Sequence, residues 1–503
     1  MIPSLESITV ENLSDEYRAD WLLMIRQWSA KLSRNLLRST YYNGRNRLKN
    51  LDIAVPDSMA NITEVVGWPQ KAVDVLANRV RFDGFVTAGD ETDPLGLAPI
   101  LEANDFNVTL PQAIRSGLTH CCSFLTIRSA EPDDVIDSPV VVGFRSALYA
   151  TGIWSAARRG LRAALSVTDI DWRQYADTQT VMPSEMILYE PGSTIRIRRR
   201  ANGRYLADKP VETNLPDHVP VYVLPYHQDL DRPFGRSRIS REVMSLTDTA
   251  VRTMLRMEVS AEFYSAPQRY LLGAEPPVGA DGRALTGWQA AMSKMLVVNR
   301  DENGQLPSIG QFEQMTMAPH TDMLRALAGR LSGATGVPMA QLGVLTDSGP
   351  SSGEAIAAAE TELVIEARNT CDAFGSQLRR AAIDMAKLAG KGVGEETARG
   401  LKVNWRNPER PSQAAMADAV LKQVQAIPWL ANSRVILEQL GYTDTDITRL
   451  LSDKNKQNAA AVLDRLVNDN AINQPANTAV TGRAAAPDGG TSDAVRGTQA
   501  PPR

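Results

Sequence analysis

The residues best suited to chemistry are the histidines and cysteines, and three of them are contiguous. His120, Cys121 and Cys122 follow one another, while the other three histidines and the third cysteine are scattered. A transition-metal site needs three or four such ligands at a characteristic spacing, for example C-x-x-C with a second Cys or His pair. No such second pair is present in the sequence. We therefore predict that no metal is bound here.

Motifs that cradle phosphates or activate a nucleophile are also missing. The sequence has no G-x-x-x-x-G-K-[ST], no G-x-G-x-x-G that opens a helix, and no G-x-S-x-G. Paired carboxylates such as Asp229 and Asp231, or Asp444 and Asp446, occupy turn or cap positions, where Asp bonds locally. We predict no catalytic residue, no cofactor and no enzymatic activity. One alternative stays open, a metal-dependent DNA-processing enzyme built from scattered carboxylates.

Composition restricts the class of protein. The 503 residues include 54 basic and 58 acidic side chains, a formal net charge of -4, so the chain does not grip nucleic acid by bulk charge. Three cysteines cannot form a disulfide framework, which predicts a reducing, cytosolic site of assembly. The sequence has no apolar run of about 18 residues and no signal peptide. We expect neither export nor insertion into a membrane.

The first half of the chain predicts an α+β domain. Helical periodicity covers residues 15–39 and about 64–81, with the second helix starting nearer Trp68. Short helices near 99–103 and 108–117 and several β-type runs follow, and the runs are CSFLTI, PVVVGF, MILYE, STIRIRRR and VPVYVLPY. In one run Arg196 and Arg198 share a strand face. We interpret that face as solvated.

A helix predicted over residues 239–263 is apolar along two separate stripes. One stripe contains Ile239, Val243, Leu246, Ala250, Met254, Met257 and Ala261. The other contains Met244, Val251, Leu255 and Val259. A helix with two apolar stripes has two neighbours, as in a bundle or a ring of identical subunits. We expect adjacent copies of the chain to bury these stripes.

Residues 319–390 predict a helix, a loop and a long helix. Thr321 is the expected N-cap of the first helix, and Gly333 and Gly336 lie near its end. Glycines and prolines then break any period until Ser351 and Glu354, which match the S-x-x-E capping box of a long helix. Short helices follow residue 405, and a tail poor in apolar residues begins near 473. We predict that this tail is disordered.

The order of these elements resembles the portal, or head-to-tail connector, proteins of tailed bacteriophages of the siphophage type. The stretches that carry the resemblance are YYNGRNRL, NITEVVGWPQKAVDVLANRVRFDGF, GVPMAQLG, SSGEAIAAAE, WRNPERPSQAAMADAVLK and LEQLGYTDTDI. Each is weak alone, but their order and spacing around the predicted helices are specific. They span most of the chain.

The resemblance implies a phage portal fold with a mixed α/β wing, a helical stem, a small clip, a long spine helix and a helical crown. On that template the parts are 1–235 wing, 236–265 stem helix, 266–318 clip, 319–336 second stem helix, 337–353 tunnel loop, 354–404 long wing or spine helix, 405–472 crown and 473–503 tail.

The resemblance also implies a function. Portal proteins form a homo-oligomeric ring, usually a dodecamer, at one capsid vertex, through which double-stranded viral DNA is packaged and ejected. The implied partners are the terminase large subunit, a head-tail adaptor, and the major capsid and scaffolding proteins, with no membrane. The expected location is the virion, after assembly in the host cytoplasm. The second alternative is another structural or adaptor protein of the virion.

Candidate site residues follow from the same template. We expect small polar side chains of the tunnel loop to line the narrowest part of the DNA channel, namely Asp347, Ser348, Ser351 and Ser352. Arginines on the two stem helices are candidates for phosphate or intersubunit contacts, namely Arg252, Arg256, Arg325 and Arg330. For these arginines ion pairs on the helix surface remain an equal alternative.

Overall fold

The chain divides into two compact units, Met1–Pro411 and Ser412–Arg503. The structure is a computed structural model that describes residues 9–46, 64–87, 93–132, 134–172, 182–264, 269–272, 308–311, 316–344, 353–409, 413–442 and 444–472.

Eight helices lie in the described part of the first unit. They are α1 Asp15–Tyr42, α2 Trp68–Ala77, α3 Ala98–Ala103, α4 Phe106–His120, α5 Arg241–Tyr264, α6 Ala318–Thr335, α7 Gly353–Leu388 and α8 Glu395–Gly400, with a 3₁₀ helix at Met339–Leu342.

The described strands of the first unit form four sheets. They are β1 Val10–Glu11, β2 Phe82–Val86, β3 Cys122–Ser129, β4 Val140–Ser146, β5 Ala150–Ser155, β6 Gly160–Ile170, β7 Pro183–Glu190, β8 Ser193–Arg199, β9 Tyr205–Ala207, β10 Val211–Glu212, β11 Val221–Pro225, β12 Arg269–Leu272, β13 Ser308–Gln311 and β14 Lys402–Trp405. All pairs are antiparallel except β1 with β9.

The largest sheet has the order β1-β9-β8-β7-β6-β5, with β10 paired to β8, and α1 packs on it. Alternating side chains of the strands point to one face because successive residues of a strand face opposite ways. The α1 residues Trp21, Ile25 and Trp28 share a core with Leu188 and Ile195 of this sheet. Trp28 also donates its indole N–H to the carbonyl oxygen of Leu148 at 2.8 Å. The apolar side of α1, whose helical periodicity the sequence predicts, is therefore covered by a sheet of the same chain.

A second core joins the three-stranded sheet β11-β3-β4 to the helices that flank the candidate site. Its helical members come from α2, α3, α4, α5, α6 and α7, and Leu342 comes from the 3₁₀ helix. On α7, Phe374, Leu378 and Met385 are fully buried. These side chains recur at spacings of four and seven residues, so one face of the long helix lies in the core. This core fixes α7 relative to α2 and α6.

The long helix predicted within residues 319–390 is observed as Gly353–Leu388, whereas the template's extension of it to residue 404 does not hold beyond Leu388. Gly390 has a positive φ of +71°, which ends a helix readily because glycine has no Cβ. The chain then forms α8 and β14, and β14 pairs with β2. Trp405 packs edge-on against Phe82, with ring centroids 6.1 Å apart. Residue 405 therefore belongs to the first unit, and the predicted crown boundary at 405 is wrong.

The second unit is helical where it is described. Its helices are α9 Gln413–Ala426, a 3₁₀ helix Pro428–Asn432, α10 Arg434–Gln439 and α11 Asp444–Ile472. Ser433 caps α10, because its side chain accepts a hydrogen bond from the amide of Val435. Val420, Ile436 and Ile447 are buried. The predicted tail 473–503 lies outside the described residues, as does most of the predicted clip apart from the paired strands β12 and β13.

Candidate DNA-channel site

The two predicted stem helices, α5 and α6, pack against each other. Val243, Leu246 and Ala250 of α5 share the second core with Leu327 and Leu331 of α6. These residues recur at helical spacing on both elements, so each helix buries one apolar face against the other. The helix pair holds in place the arginines that the sequence singled out.

The expectation that adjacent copies bury both stripes of this helix is wrong for its first half. Ile239, which precedes α5, and Val243, Leu246 and Ala250 are buried within the chain itself, because α2 and α6 cover that face. Val251 and Val259 of the second stripe are buried as well. Further along the helix Met254, Leu255 and Met257 are only half-buried, and Ala261 is exposed. The second half of α5 thus has apolar surface that the described residues do not fully cover.

The four candidate arginines all lie on this helix pair but differ in environment. Arg325 forms an ion pair with Asp322 at 3.1 Å on the helix surface, which favours the structural alternative for that residue. Arg252 is half-buried, whereas Arg256 and Arg330 are exposed. Within the part of the chain that the structure describes, no ion pair of Arg256 or Arg330 is present. Arg256 and Arg330 are therefore the better candidates for contacts with another molecule.

The loop residues Asp347, Ser348, Ser351 and Ser352 lie outside the described residues. Their flanks are described on both sides. The 3₁₀ helix Met339–Leu342 stands before the loop, where Leu342 is buried and its carbonyl oxygen accepts a hydrogen bond from the Trp68 indole at 3.2 Å. Helix α7 begins at Gly353. The position of the loop thus depends on what holds these two flanks.

Arg79, which follows α2, holds one flank. Its side chain is 5% exposed and forms an ion pair with Glu360 of α7 at 2.7 Å. It also donates to the carbonyl oxygen of Pro408 at 2.9 Å. The second carboxylate oxygen of Glu360 accepts from the side-chain amide of Gln341 at 3.0 Å. One carboxylate therefore links α7 to the 3₁₀ helix before the loop and to Arg79.

Arg238, which precedes α5, holds the other flank. Its side chain is 3% exposed and pairs with Glu366 of α7. It donates to the carbonyl oxygen of Ala72 in α2 at 2.5 Å and to that of Thr335, the last residue of α6, at 2.6 Å. Glu366 also accepts from the hydroxyl of Tyr226. Burial and the Glu366 charge raise the pKa of Tyr226 well above its usual value, so this hydroxyl remains a donor.

Sequence reasoning missed both of these arginine clusters. Arg238 stands in the turn-rich stretch YHQDLDRPFGRSR, and Arg79 stands in a helix-terminal stretch. Arginine is almost never fully buried unless it is paired, and its partners here are far away in sequence. Local periodicity carries no signal for such pairs.

His120, Cys121 and Cys122 are surrounded by side chains of the fold, and His120 has serine hydroxyls as its hydrogen-bonding neighbours. The His120 ring nitrogens lie within hydrogen-bonding distance of the hydroxyls of Ser39, at 2.8 Å, and Ser146, at 3.2 Å. Burial, together with the charge of Arg38, lowers the pKa of His120 to about 4. The Cys121 and Cys122 sulfurs are 3.9 Å apart. In the described residues no group of three or more His, Cys, Asp or Glu side chains converges on one point.

The arginines on β8 are paired with acids. Arg196 lies 3.4 Å from Glu185 and 3.8 Å from Glu131, and Arg198 lies 2.6 Å from Asp208. All these side chains are at least partly exposed. The interpretation of this strand face as solvated is confirmed. Among the helices of the described ranges, none is long and apolar enough to span a membrane.

The comparisons with known proteins match most of the chain. Residues 23–459 match the family model described as phage portal protein, SPP1 Gp6-like. The portal protein of Mycobacterium phage L5 is 29% identical over 390 residues, which cover 76% of this chain and 77% of the relative. The portal protein of Mycobacterium phage D29 is 29% identical over 399 residues, with the same coverage.

Solved structures give a weaker likeness. A chain from the neck of a native GTA particle, computed with C12 symmetry, is 14% identical with a TM-score of 0.41. The match covers 76% of this chain and 94% of that one. At this TM-score the likeness adds nothing to the family assignment.

The family match covers well over half of the chain, so the chain belongs to the SPP1 Gp6-like family of phage portal proteins. The sequence-based recognition of a head-to-tail connector protein of a tailed bacteriophage is thereby confirmed. Members of this family are structural components of the virion. The mixed α/β architecture of the first unit agrees with the predicted α+β class.

Proposed function

We propose that copies of this chain assemble into a closed dodecameric ring at one capsid vertex. Double-stranded DNA passes through this ring during packaging and ejection. The family match over residues 23–459 carries this proposal. The match includes the helix pair, both arginine clusters and the loop between α6 and α7. Assembly in the host cytoplasm precedes incorporation into the virion.

The partly covered half of α5 supports a contact between copies. Met254 and Met257 of the first stripe and Leu255 of the second are half-buried in a single chain. Removing the rest of their surface from water is favourable by roughly 25 cal/mol for each Å² of apolar surface. We assign these three residues to interfaces with the neighbouring subunits, which restricts the sequence-based expectation of shared helix faces to the second half of the helix.

The charge of the chain suits a conduit for DNA. Duplex DNA carries one charge for roughly each 1.7 Å of its axis, and neutralising many phosphates produces tight binding that depends on salt. A channel that bound DNA in this way would stall it. This chain has a net charge of -4. Its tunnel loop contacts the DNA backbone through Asp347, Ser348, Ser351 and Ser352 and does not bind it tightly. Scattered contacts from Arg256 and Arg330 guide the duplex.

The finer architecture is part of the same proposal. Residues 1–235 form the wing, α5 and α6 the stem, and 266–318 the clip, with β12 and β13 at its base. The loop 337–353 is the tunnel loop, and α7 is the spine helix. The crown begins at 412 instead of 405, in agreement with the boundary of the second compact unit. The ring is the docking platform for the terminase large subunit and the head-tail adaptor, within a shell of major capsid protein assembled on scaffolding protein.

A loop replacement tests the proposal. Residues 347–352 are replaced by a glycine linker of the same length, and the matched control replaces the exposed turn 200–203 in the same way. We expect both variants to form rings and the loop variant alone to yield fewer DNA-filled heads. Normal packaging by the loop variant would contradict the tunnel assignment.

A further inference from the structure

Two ion pairs, each between a buried arginine and a partly buried glutamate, fix the long helix α7 beside the proposed tunnel loop. Glu360 and Glu366 are six residues apart on α7, which corresponds to about 9 Å along the helix axis and about 120° around it. Each pairs with a different buried arginine, Glu360 with Arg79 and Glu366 with Arg238. Two attachments at different heights and on different sides of a helix fix both its rotation and its translation.

The same arginine clusters reach the chain on the other side of the loop. Arg238 donates to Thr335 at the end of α6, and the carboxylate of Glu360 accepts from Gln341 in the 3₁₀ helix. The Arg238 cluster contacts α2 through the carbonyl oxygen of Ala72, and Arg79 itself lies two residues after the end of α2. Both ends of the loop are therefore connected, through these two arginines, to α2 and the residues that directly follow it.

The chemistry of these contacts suits positioning. Apolar surfaces tolerate small sliding because the hydrophobic effect has no direction. A guanidinium presents donors in a rigid planar fork, and a buried charge that loses its partner is costly. The Arg79 and Arg238 side chains are 5% and 3% exposed, so water cannot replace a lost partner there. Each cluster therefore accepts one register of α7.

We propose that Arg79 and Arg238 are positioning residues of the portal channel, which hold the spine helix in one register so that the tunnel loop stands at a set place in the ring. This inference rests on the proposed function of the loop. DNA moving past the loop pushes on α7, and the arginine clusters transmit that force to α2 and the core of the wing.

The test uses the complete protein in assembled rings and in capsids. E360Q and E366Q keep a hydrogen-bond acceptor but remove the charge. R79K and R238K keep the charge but lose the planar fork. The matched control is R368Q, which breaks the exposed ion pair between Arg368 and Glu409 on the same helix. The readouts are ring size, amide hydrogen exchange and the fraction of heads filled with DNA.

We expect rings of normal size from the conservative lysine variants, with faster amide exchange in residues 339–342 and in the first turns of α7. DNA-filled heads should be lost, and more completely in the glutamine variants. R368Q should behave as the wild type. Normal packaging and normal exchange in R79K and R238K would overturn the inference, as would an equal loss in R368Q.

The loop replacement separates this inference from the proposed function. If the glycine linker at 347–352 abolishes packaging while the arginine variants package normally, the inference fails and the function stands. If the linker variant packages DNA normally, the proposed function of the loop is wrong, whatever the result with the arginine variants.

Discussion

Asp384 of α7 and His218, which precedes β11, lie 2.6 Å apart between Oδ2 and Nε2. The same carboxylate oxygen accepts from the Tyr222 hydroxyl, and the other oxygen lies 3.1 Å from the Lys387 amine. Asp384 thus joins the C-terminal half of the long helix to the three-stranded sheet. Burial opposes its ionisation, but the hydrogen bonds from His218 and Tyr222 outweigh burial and lower the pKa of Asp384.

The first prediction is that D384N destabilises the fold. Removing the charge from this buried cluster should lower the free energy of unfolding by about 3 kcal/mol at neutral pH. Because the folded pKa of Asp384 is lowered, its contribution is present above the unfolded pKa and is lost as the pH falls through the folded pKa. The difference between variant and wild type in urea unfolding should therefore shrink below about pH 4. D372N, on the exposed face of α7, is the control; an equal loss there would argue against the cluster.

A second prediction concerns Glu190, the last residue of β7. Its side chain is buried, and its Oε1 has no hydrogen-bond partner in the described part of the chain. Burial, with the charge of Asp20, raises the pKa of Glu190 from 4.5 to about 7. The protonated form is therefore favoured in the folded state, and its contribution is complete below pH 4.5 and lost as the pH rises through about 7.

E190Q removes this dependence. Between pH 4.5 and 8 the wild type should lose roughly 3 kcal/mol of stability that the variant does not lose. Urea unfolding across that range measures the difference. E185Q, on the same strand, should keep the pH dependence of the wild type. A flat wild-type profile, or the same profile in E190Q, would contradict the assignment.

The third prediction compares two glycines of similar backbone conformation. Gly235 and Gly343 have φ of +74° and +77°. A Cβ at Gly235 would lie 2.0 Å from the carbonyl oxygen of Tyr226, whereas a Cβ at Gly343 would meet nothing within 4 Å. G343A should cost only the left-handed backbone penalty, about 1 kcal/mol. G235A adds a clash with backbone next to the Arg238 cluster, so it should cost several times more. Thermal unfolding of the two variants measures the difference, and equal stability would contradict the geometry.

A fourth prediction separates the two roles offered for the exposed stem arginines. If Arg256 and Arg330 contact phosphates, each glutamine substitution should reduce the slope of log K against log salt for DNA binding to the ring by about 1. If they contact a neighbouring copy, ring stability should fall with the slope unchanged. R198Q, which breaks an ion pair on the solvated sheet face, should change neither quantity. If the glutamine variants change neither the salt slope of DNA binding nor the stability of the ring, both roles are ruled out.

The helices could be predicted from the sequence because their signals are local. Periodicity placed α1 at 15–39 and α5 at 239–263, against observed bounds of Asp15–Tyr42 and Arg241–Tyr264. The N-cap predicted at Thr321 was wrong, because Pro319 lies in the first turn and α6 begins at Ala318. Proline suits that turn since it lacks the amide hydrogen that a first turn leaves unpaired.

The long-range contacts could not be predicted. The pairing of β14 with β2 joins Val403 to Phe85 across most of the chain, and nothing in the local sequence encodes a partner so distant. The adjacent strands β5 and β6 were also missed. The candidate site was predicted only through the family resemblance, which pointed to the loop and the helix pair. The clusters of Arg79 and Arg238 that hold them became visible only with the fold.

The most direct test of the account is electron microscopy of the purified protein with image averaging. We predict closed rings in which neighbouring copies cover Met254, Leu255 and Met257 and residues 337–353 line the central opening. A population of monomers under conditions where the chain is folded would contradict this account, as would rings whose opening is lined by another segment.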